Sequence, residues 1–291
     1  MELAQSPDAE EMVTAHRMAM RDAEFVQDWR AALDNLQRSA ELGLPLARAS
    51  LAALAGDWAL AGLLAAREKP PVADWSSLRS SIDLVALLTP PRPSIVSANP
   101  RIATIEQFAS SEVCDWLIAR ARGKLAPAKV YDPNTGGPRS ETVRTNSEYH
   151  FHSDDTDLVL LSVRARMAKA AELPVGAMEA TAILHYTPGQ EFLPHFDFLD
   201  TSSPGHARQV AEGGQRVLTF LLCLNDEYDG GQTEFSALGR RWKGRKGSAL
   251  FFWNVGPDGV PDRRTVHAGL PPIRGEKWLL SQWMRARPVR R

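Results

Sequence analysis

The sequence predicts an α+β chain: a small all-α region at the N-terminus, then a larger domain built as a double-stranded β-helix, the jelly-roll arrangement of two facing antiparallel sheets. Three observations carry that expectation. Residues 9–67 are rich in alanine and place apolar side chains at helical intervals. Proline clusters at Pro70-Pro71 and Thr89-Pro90-Pro91-Arg92-Pro93 interrupt any helix and read as linker. From Ala180 onward, short β-prone runs alternate with turns at Pro188-Gly189, Gly230-Gly231, Gly244 and Gly256-Pro257-Asp258-Gly259. The boundary is placed at residue 93, giving a helical region over 1–93 and a second domain over 94–291.

In the first region, Phe25, Trp29, Ala32, Leu33, Leu36 and Ala40 recur with helical period, and Gly43 stands where that helix should stop. A second helix follows Pro45, and Gly56-Asp57 breaks the chain and caps a third over 58–67. Residues 31–54 resemble one Sel1-like or tetratricopeptide-type helical repeat. Stacked repeats need about three units for a continuous core, so a helical cap on the second domain, or a homodimer contact, is the expected use. One short helix is expected over 75–88, from Leu78, Ile82 and Val85.

In the second domain, residues 95–108 read as an entry strand, and Ser110 or Ser111 caps a helix over 112–122. Residues 132–138 are turn chemistry throughout. A helix over 156–172, ended by Pro174, is expected to pack behind the sheet. The run 216–225 is apolar on both faces and predicts a central buried strand. The glycine pair Gly230-Gly231 then marks a tight turn into the next strand.

Composition narrows the function. A formal charge of −1 over 291 residues gives no reason to expect nucleic acid or an anionic membrane as partner. No apolar stretch approaches the ~20 residues needed to span a bilayer, and the first residues lack the basic-then-apolar pattern of a signal peptide. A cytoplasmic location is the expectation. Cys114 and Cys223 lie in apolar patterns and read as reduced core residues, with no disulfide framework.

The chemistry concentrates at His195-Phe196-Asp197. On an extended strand, residues two apart point to the same face, and His267 supplies a second imidazole. Two imidazoles and one carboxylate on one face of a metal leave positions open for other ligands, as non-haem Fe(II) oxygenases require. Zinc accepts the same ligand types and stays open as a rival. Lys277 begins a strand on which Leu279, Ser281, Trp283 and Arg285 share its face. Buried there, its ammonium must find an anion, and the carboxylate of a small dicarboxylic acid fits. His150 and His152 share a face, but no carboxylate or later histidine at useful spacing joins them. Nothing singles out His16, His185 or His206.

These residues sit in a longer pattern: Tyr186-x-x-Gly189-Gln190-x-x-x-x-His195-x-Asp197, Gly213-Gly214-Gln215-Arg216, Gly230-Gly231-x-Thr233, Lys246-Gly247-Ser248-Ala249-Leu250-Phe251-Phe252, His267-Ala268-Gly269-x-Pro271, and Gly275-x-Lys277-Trp278 with Trp283. In order and spacing, over residues 95–287, it resembles the iron(II)- and 2-oxoglutarate-dependent dioxygenases of the prolyl 4-hydroxylase type. The resemblance implies that His195, Asp197 and His267 hold Fe(II), and that these three with Lys277 form the catalytic group. It implies that Lys277, Tyr186 and Thr233 hold the co-substrate 2-oxoglutarate, and that Arg216 and Trp283 lie near a peptide substrate. O2 would be consumed, succinate and CO2 released, and ascorbate is a candidate reductant. The expected reaction is hydroxylation of an unactivated C–H bond in a prolyl residue of a protein or peptide.

Residues 132–138 with Arg144-Thr145-Asn146 resemble the family's mobile loop, which closes over the substrate. The sequence departs from the pattern at Phe192, where these enzymes usually have tyrosine, and at Arg285, where some have histidine. Both departures fall around the substrate, which leaves a small molecule or a non-prolyl side chain open as the target. A non-catalytic binding or scaffold protein on this fold is the rival of another class; it would typically have lost a metal ligand or the lysine, and both are present.

Overall fold

The structure is a computed structural model that describes residues 7–66, 73–131, 138–139 and 143–289. Pro70-Pro71, most of the 132–138 loop and the last two arginines lie outside the described residues. The chain divides into two compact units, Met1–Thr89 with Ser153–Lys169, and Pro90–His152 with Ala170–Arg291.

The first unit is helical. Its core joins Leu33 and Leu36 of the helix Trp29–Glu41 to Ala47 and Leu51 of the helix Pro45–Leu54. Asp28 caps the first of these through the amides of Arg30 and Ala31, and Asp57 caps Trp58–Ala65 through Leu60. Gly43 adopts φ 110° at the expected stop.

Three expectations about the helices need correction. Phe25 does not share a helix with Trp29, because Pro7–Arg21 ends in a π turn over Asp22–Val26 and Gln27 turns the chain at φ 61°. Phe25 is left 64% exposed. The segment 75–88 forms two helices, Trp75–Ser81 and Leu84–Leu88, because Asp83 caps the second through the amides of Val85 and Ala86. The helix Leu158–Ala171 belongs mostly to the helical unit, not to a contiguous 94–291 domain. Its Leu158 and Leu161 sit in the core of that unit, and Arg164 pairs with Glu24 at 2.8 Å. Leu158, Val159, Leu160, Leu161 and Val163 are all buried. A helix apolar on more than one side gives no periodic signal for the partner it packs against.

The second unit is built from antiparallel sheets. The eight-stranded one runs, edge to edge, Ser94–Ala98, Arg101–Ile105, Ala249–Trp253, Arg216–Cys223, Lys277–Arg285, Ala182–Tyr186, Ser147–His150 and Ala126–Pro127. The four-stranded one runs Arg240–Trp242, Thr233–Phe235, His267–Gly269 and Phe192–His195. Leu184, Leu221, Leu250, Phe252 and Leu279 of the larger sheet cluster with Phe235, Phe192 and Trp242 of the smaller. That is the jelly-roll core. The expected entry strand is two strands, since Asn99-Pro100 makes a turn between them. The run beginning at Arg216 lies near the middle of the large sheet, as its apolar faces predict.

Candidate active site

The smaller sheet brings the distant histidine to the pair. His267 lies directly opposite His195 in the antiparallel register. Asp197 follows two residues after His195, and the ligand atoms of His195, Asp197 and His267 all fall within 4.8 Å of one another. Among the described residues, no other such group of three appears.

Each imidazole is oriented from behind. His195 Nδ1 is 2.8 Å from the Leu193 carbonyl and His267 Nδ1 is 3.0 Å from that of Thr265. A carbonyl only accepts, so each Nδ1 carries the proton and each Nε2 keeps its lone pair for a metal. Both Nε2 atoms face the carboxylate: His195 lies 3.7 Å from Asp197 Oδ1, and His267 lies 3.4 Å from Oδ2. Phe192 stacks on the His195 ring at 3.5 Å with a 12° interplanar angle, while Phe252 meets the His267 ring edge-on at 4.9 Å.

Protonation states suit a metal. Burial, reinforced by the neighbouring His267, pushes His195 down to about 3. For Asp197, burial alone would raise the carboxyl, but His267, His195 and the Thr219 hydroxyl together hold it below the ordinary carboxylate range. Neutral imidazole and ionised carboxylate are the forms that coordinate a divalent cation.

Thr219 is a residue that sequence reasoning missed. Its hydroxyl donates to Asp197 Oδ2 at 2.7 Å and accepts from Asn254 Nδ2 at 3.0 Å. The available signal was one polar side chain within an apolar strand. Thr219→Val keeps the shape and removes the donor. It is expected to weaken metal affinity about tenfold, the lower end for loss of a group that orients a ligand, and Thr219→Ser should restore most of it. Metal titration of the three proteins checks this; equal affinities would remove Thr219 from the site.

Lys277 lies in the same cleft. It is 2% exposed, lies opposite Tyr186 in the sheet, and its Nζ sits 5.0 Å from the Tyr186 ring centroid. Among the described residues no carboxylate pairs with it. Burial pushes its pKa down to about 8 and that of Tyr186 up to about 12. The neighbouring chain leaves room. At Gly269, opposite Thr233, an added Cβ would lie 3.3 Å from the Tyr186 hydroxyl. At Gly231, φ is 67° and a Cβ would strike the Tyr228 ring at 2.7 Å.

The cleft wall holds the three metal-type ligands with Lys277, Tyr186, Thr233, Leu279, Ser281 and Trp283. Arg285 does not line the cleft; its guanidinium pairs with Glu179 at 2.5 Å and donates to the Gly214 carbonyl at 2.7 Å. Arg216 does not line the cleft: its guanidinium lies 3.6 Å from the Trp283 ring centroid and pairs with both oxygens of Glu179 at 2.7 and 3.0 Å. It supports Trp283 from behind. Arg144, Glu148 and His150 also line the cleft, unforeseen as site residues. Arg144 donates to Glu148 at 2.6 Å and His150 Nε2 lies 3.4 Å from the same oxygen, so His150 is engaged there, apart from the metal group.

A family model described as the 2OG-Fe(II) oxygenase superfamily matches residues 181–285. The chain is 35% identical over 209 residues to prolyl 4-hydroxylase 1 of Arabidopsis thaliana, spanning 67% of this chain and 72% of that protein. The chain belongs to the 2-oxoglutarate- and Fe(II)-dependent oxygenases, in the prolyl 4-hydroxylase branch. It is therefore a dioxygenase that uses Fe(II), 2-oxoglutarate and O2. Among its oxygenase relatives is probable prolyl 4-hydroxylase 6 of the same plant, 33% identical over 236 residues, covering 73% of this chain and 76% of the relative. The crystal structure of a viral collagen prolyl hydroxylase from Paramecium bursaria Chlorella virus-1, in complex with 2-oxoglutarate, matches at TM-score 0.49 and 26% identity, over 64% of this chain and 96% of that one.

Proposed function

We propose that this dioxygenase hydroxylates a prolyl residue of a protein or peptide. His195, Asp197 and His267 are assigned to Fe(II), and Lys277, Tyr186 and Thr233 to 2-oxoglutarate. One observation carries the assignment: a buried two-histidine, one-carboxylate group shares a cleft with a buried ammonium that has no carboxylate partner among the described residues. A zinc hydrolase has no use for that ammonium.

The donor set fits the metal. Bound Fe(II), with 2-oxoglutarate and O2, supplies the oxidising power to convert an unactivated C–H into C–OH with release of succinate and CO2. The chain does the rest. Lys277 holds the far carboxylate of the keto-diacid by a charge-assisted contact, with the hydroxyls of Tyr186 and Thr233 as further partners. Leu193 and Thr265 fix the two imidazoles through their carbonyls, and Thr219 fixes the carboxylate. Trp283, backed by Arg216, forms an aromatic wall on which the substrate packs. The apolar Phe192 covers His195 and keeps water from that side.

Protein or peptide as the substrate rests on the relatives, all prolyl 4-hydroxylases by name, and on a cleft that opens into a wider groove sharing Arg144, Glu148, His150, Ala180 and Trp283. The test is succinate formation by the iron-loaded protein with a panel of proline-containing peptides and of small metabolites. Peptide-stimulated succinate with a +16 Da product at proline is expected. Stimulation by small metabolites alone would overturn the prolyl reading.

A further inference from the structure

An open groove lies beside the active-site cleft. Its described lining carries Lys124, Lys129, Arg144, His150 and His152, and only one carboxylate, Glu148. That carboxylate is already engaged by the wall. It accepts from Arg144 at 2.6 Å and from the Lys129 amide at 3.1 Å, and it faces His150 Nε2 at 3.4 Å. Arg144 in turn donates to the Lys129 carbonyl and to Asn146, so its position is set by the wall itself.

Lys124 and Lys129 are both exposed. Lys124 donates to the Tyr149 hydroxyl at 3.3 Å with its ammonium 4.9 Å from that ring's centroid. Charge on the described lining is thus net positive, while the chain as a whole carries a formal −1. The cations are concentrated beside the cleft, and Pro127, Tyr149 and Trp283 supply apolar surface between them.

We infer that this groove selects acidic peptide: a substrate segment carrying aspartate or glutamate beside the hydroxylated residue, seated against Lys124 and Lys129. The inference rests on the assignment of a peptide substrate above and adds the character of its flanking sequence. A carboxylate placed there gains from several cations at once. Low local dielectric along a concave wall strengthens that attraction relative to an open surface, and electrostatic complementarity expresses itself as specificity and salt-dependent association.

The experiment uses the full-length chain with Mn(II) in place of iron and 2-oxoglutarate present. Fluorescent peptides carry one central proline and either aspartate or its isostere asparagine at successive flanking positions. Wild-type protein is expected to bind the best aspartate peptide about fivefold to tenfold tighter than its asparagine twin at low salt, a ratio that shrinks towards one as added salt shortens the screening length to about 3 Å at 1 M. Lys124→Glu with Lys129→Glu should invert the preference. Lys124→Gln with Lys129→Gln should abolish it, and both variants should keep the wild-type melting temperature. Equal affinity for aspartate and asparagine peptides, or an undiminished preference in the glutamine variant, would overturn the inference. Parallel assays with iron separate the two readings. Proline hydroxylation indifferent to flanking charge leaves the peptide assignment standing and removes the acidic groove. Charge-selective binding without hydroxylation of any peptide supports the groove and removes proline as the target.

Discussion

Lys277→Met is expected to stabilise the protein while destroying its use of 2-oxoglutarate. The native lysine is 2% exposed, and burial moves its pKa from 10.5 to about 8. The folded state therefore holds an ammonium that it disfavours by on the order of 3 kcal/mol, at about 1.36 kcal/mol per pKa unit. The sign follows from proton counts. Below pH 8 both states bind the proton and the full cost is present. Between pH 8 and 10.5 the unfolded chain holds more protons than the folded one, so stability rises with pH. Methionine fills the slot without charge, and the ligand-free variant should melt about 6–12 °C higher, at about 2–4 °C per kcal/mol for a domain of this size. Its affinity for 2-oxoglutarate should fall about 10²- to 10³-fold, because one member of a buried ion pair is gone. In the wild type, 2-oxoglutarate selects the charged lysine. Its affinity should be level below pH 8 and drop about tenfold per unit above it. Calorimetry at pH 7 and pH 9.5 on both proteins reads all three effects, and a variant that is less stable yet still binds the keto-acid would remove Lys277 from the site.

Such a residue shows how much of the site was legible in one dimension. His195 and Asp197 announce themselves because alternation along a strand puts both on one face. His267 and Lys277 do so through a family-like spacing. What the spacing did not carry is support from other strands. Thr219 reaches Asp197 from the large sheet and is itself held by Asn254, and no local period relates residues 22 and 57 positions away from Asp197. Arg216 shows the same limit: its place beside Trp283 was legible, but its acid partner Glu179 lies just ahead of another strand, and no spacing announced that pair. The helix Leu158–Ala171 fails for a different reason. Its existence and limits follow from periodicity, whereas its partner does not, since it is buried on more than one side. Turn and cap chemistry was the other blind spot: Asp83 and Asn99-Pro100 each divided an element that apolar pattern alone ran together.

Asp197→Ala is expected to remove metal-dependent turnover. The carboxylate is the anionic member of the ligand group, and both imidazole Nε2 atoms sit within 3.7 Å of its oxygens. Loss of a group that merely orients a ligand typically costs 10- to 100-fold in metal affinity; loss of the ligand itself should exceed that, at about 10³-fold. Two neutral imidazoles would remain to hold a dication, with no charge to offset it. The fold should survive. Folding already opposes burial of this carboxylate, so truncation relieves a desolvation cost of the same kind that it loses in hydrogen bonding, and the net change in the ligand-free protein should stay within about 1–2 kcal/mol. Asp197→Asn separates charge from shape: it keeps the volume and an acceptor for Thr219, yet it should bind metal nearly as poorly as alanine. Iron content, 2-oxoglutarate consumption and melting temperature measured together distinguish a lost ligand from a damaged fold. Undiminished 2-oxoglutarate turnover by the alanine variant would refute the proposed ligand group, whereas glutamate at 197 tests reach alone, since it retains the charge and moves it outward by one methylene.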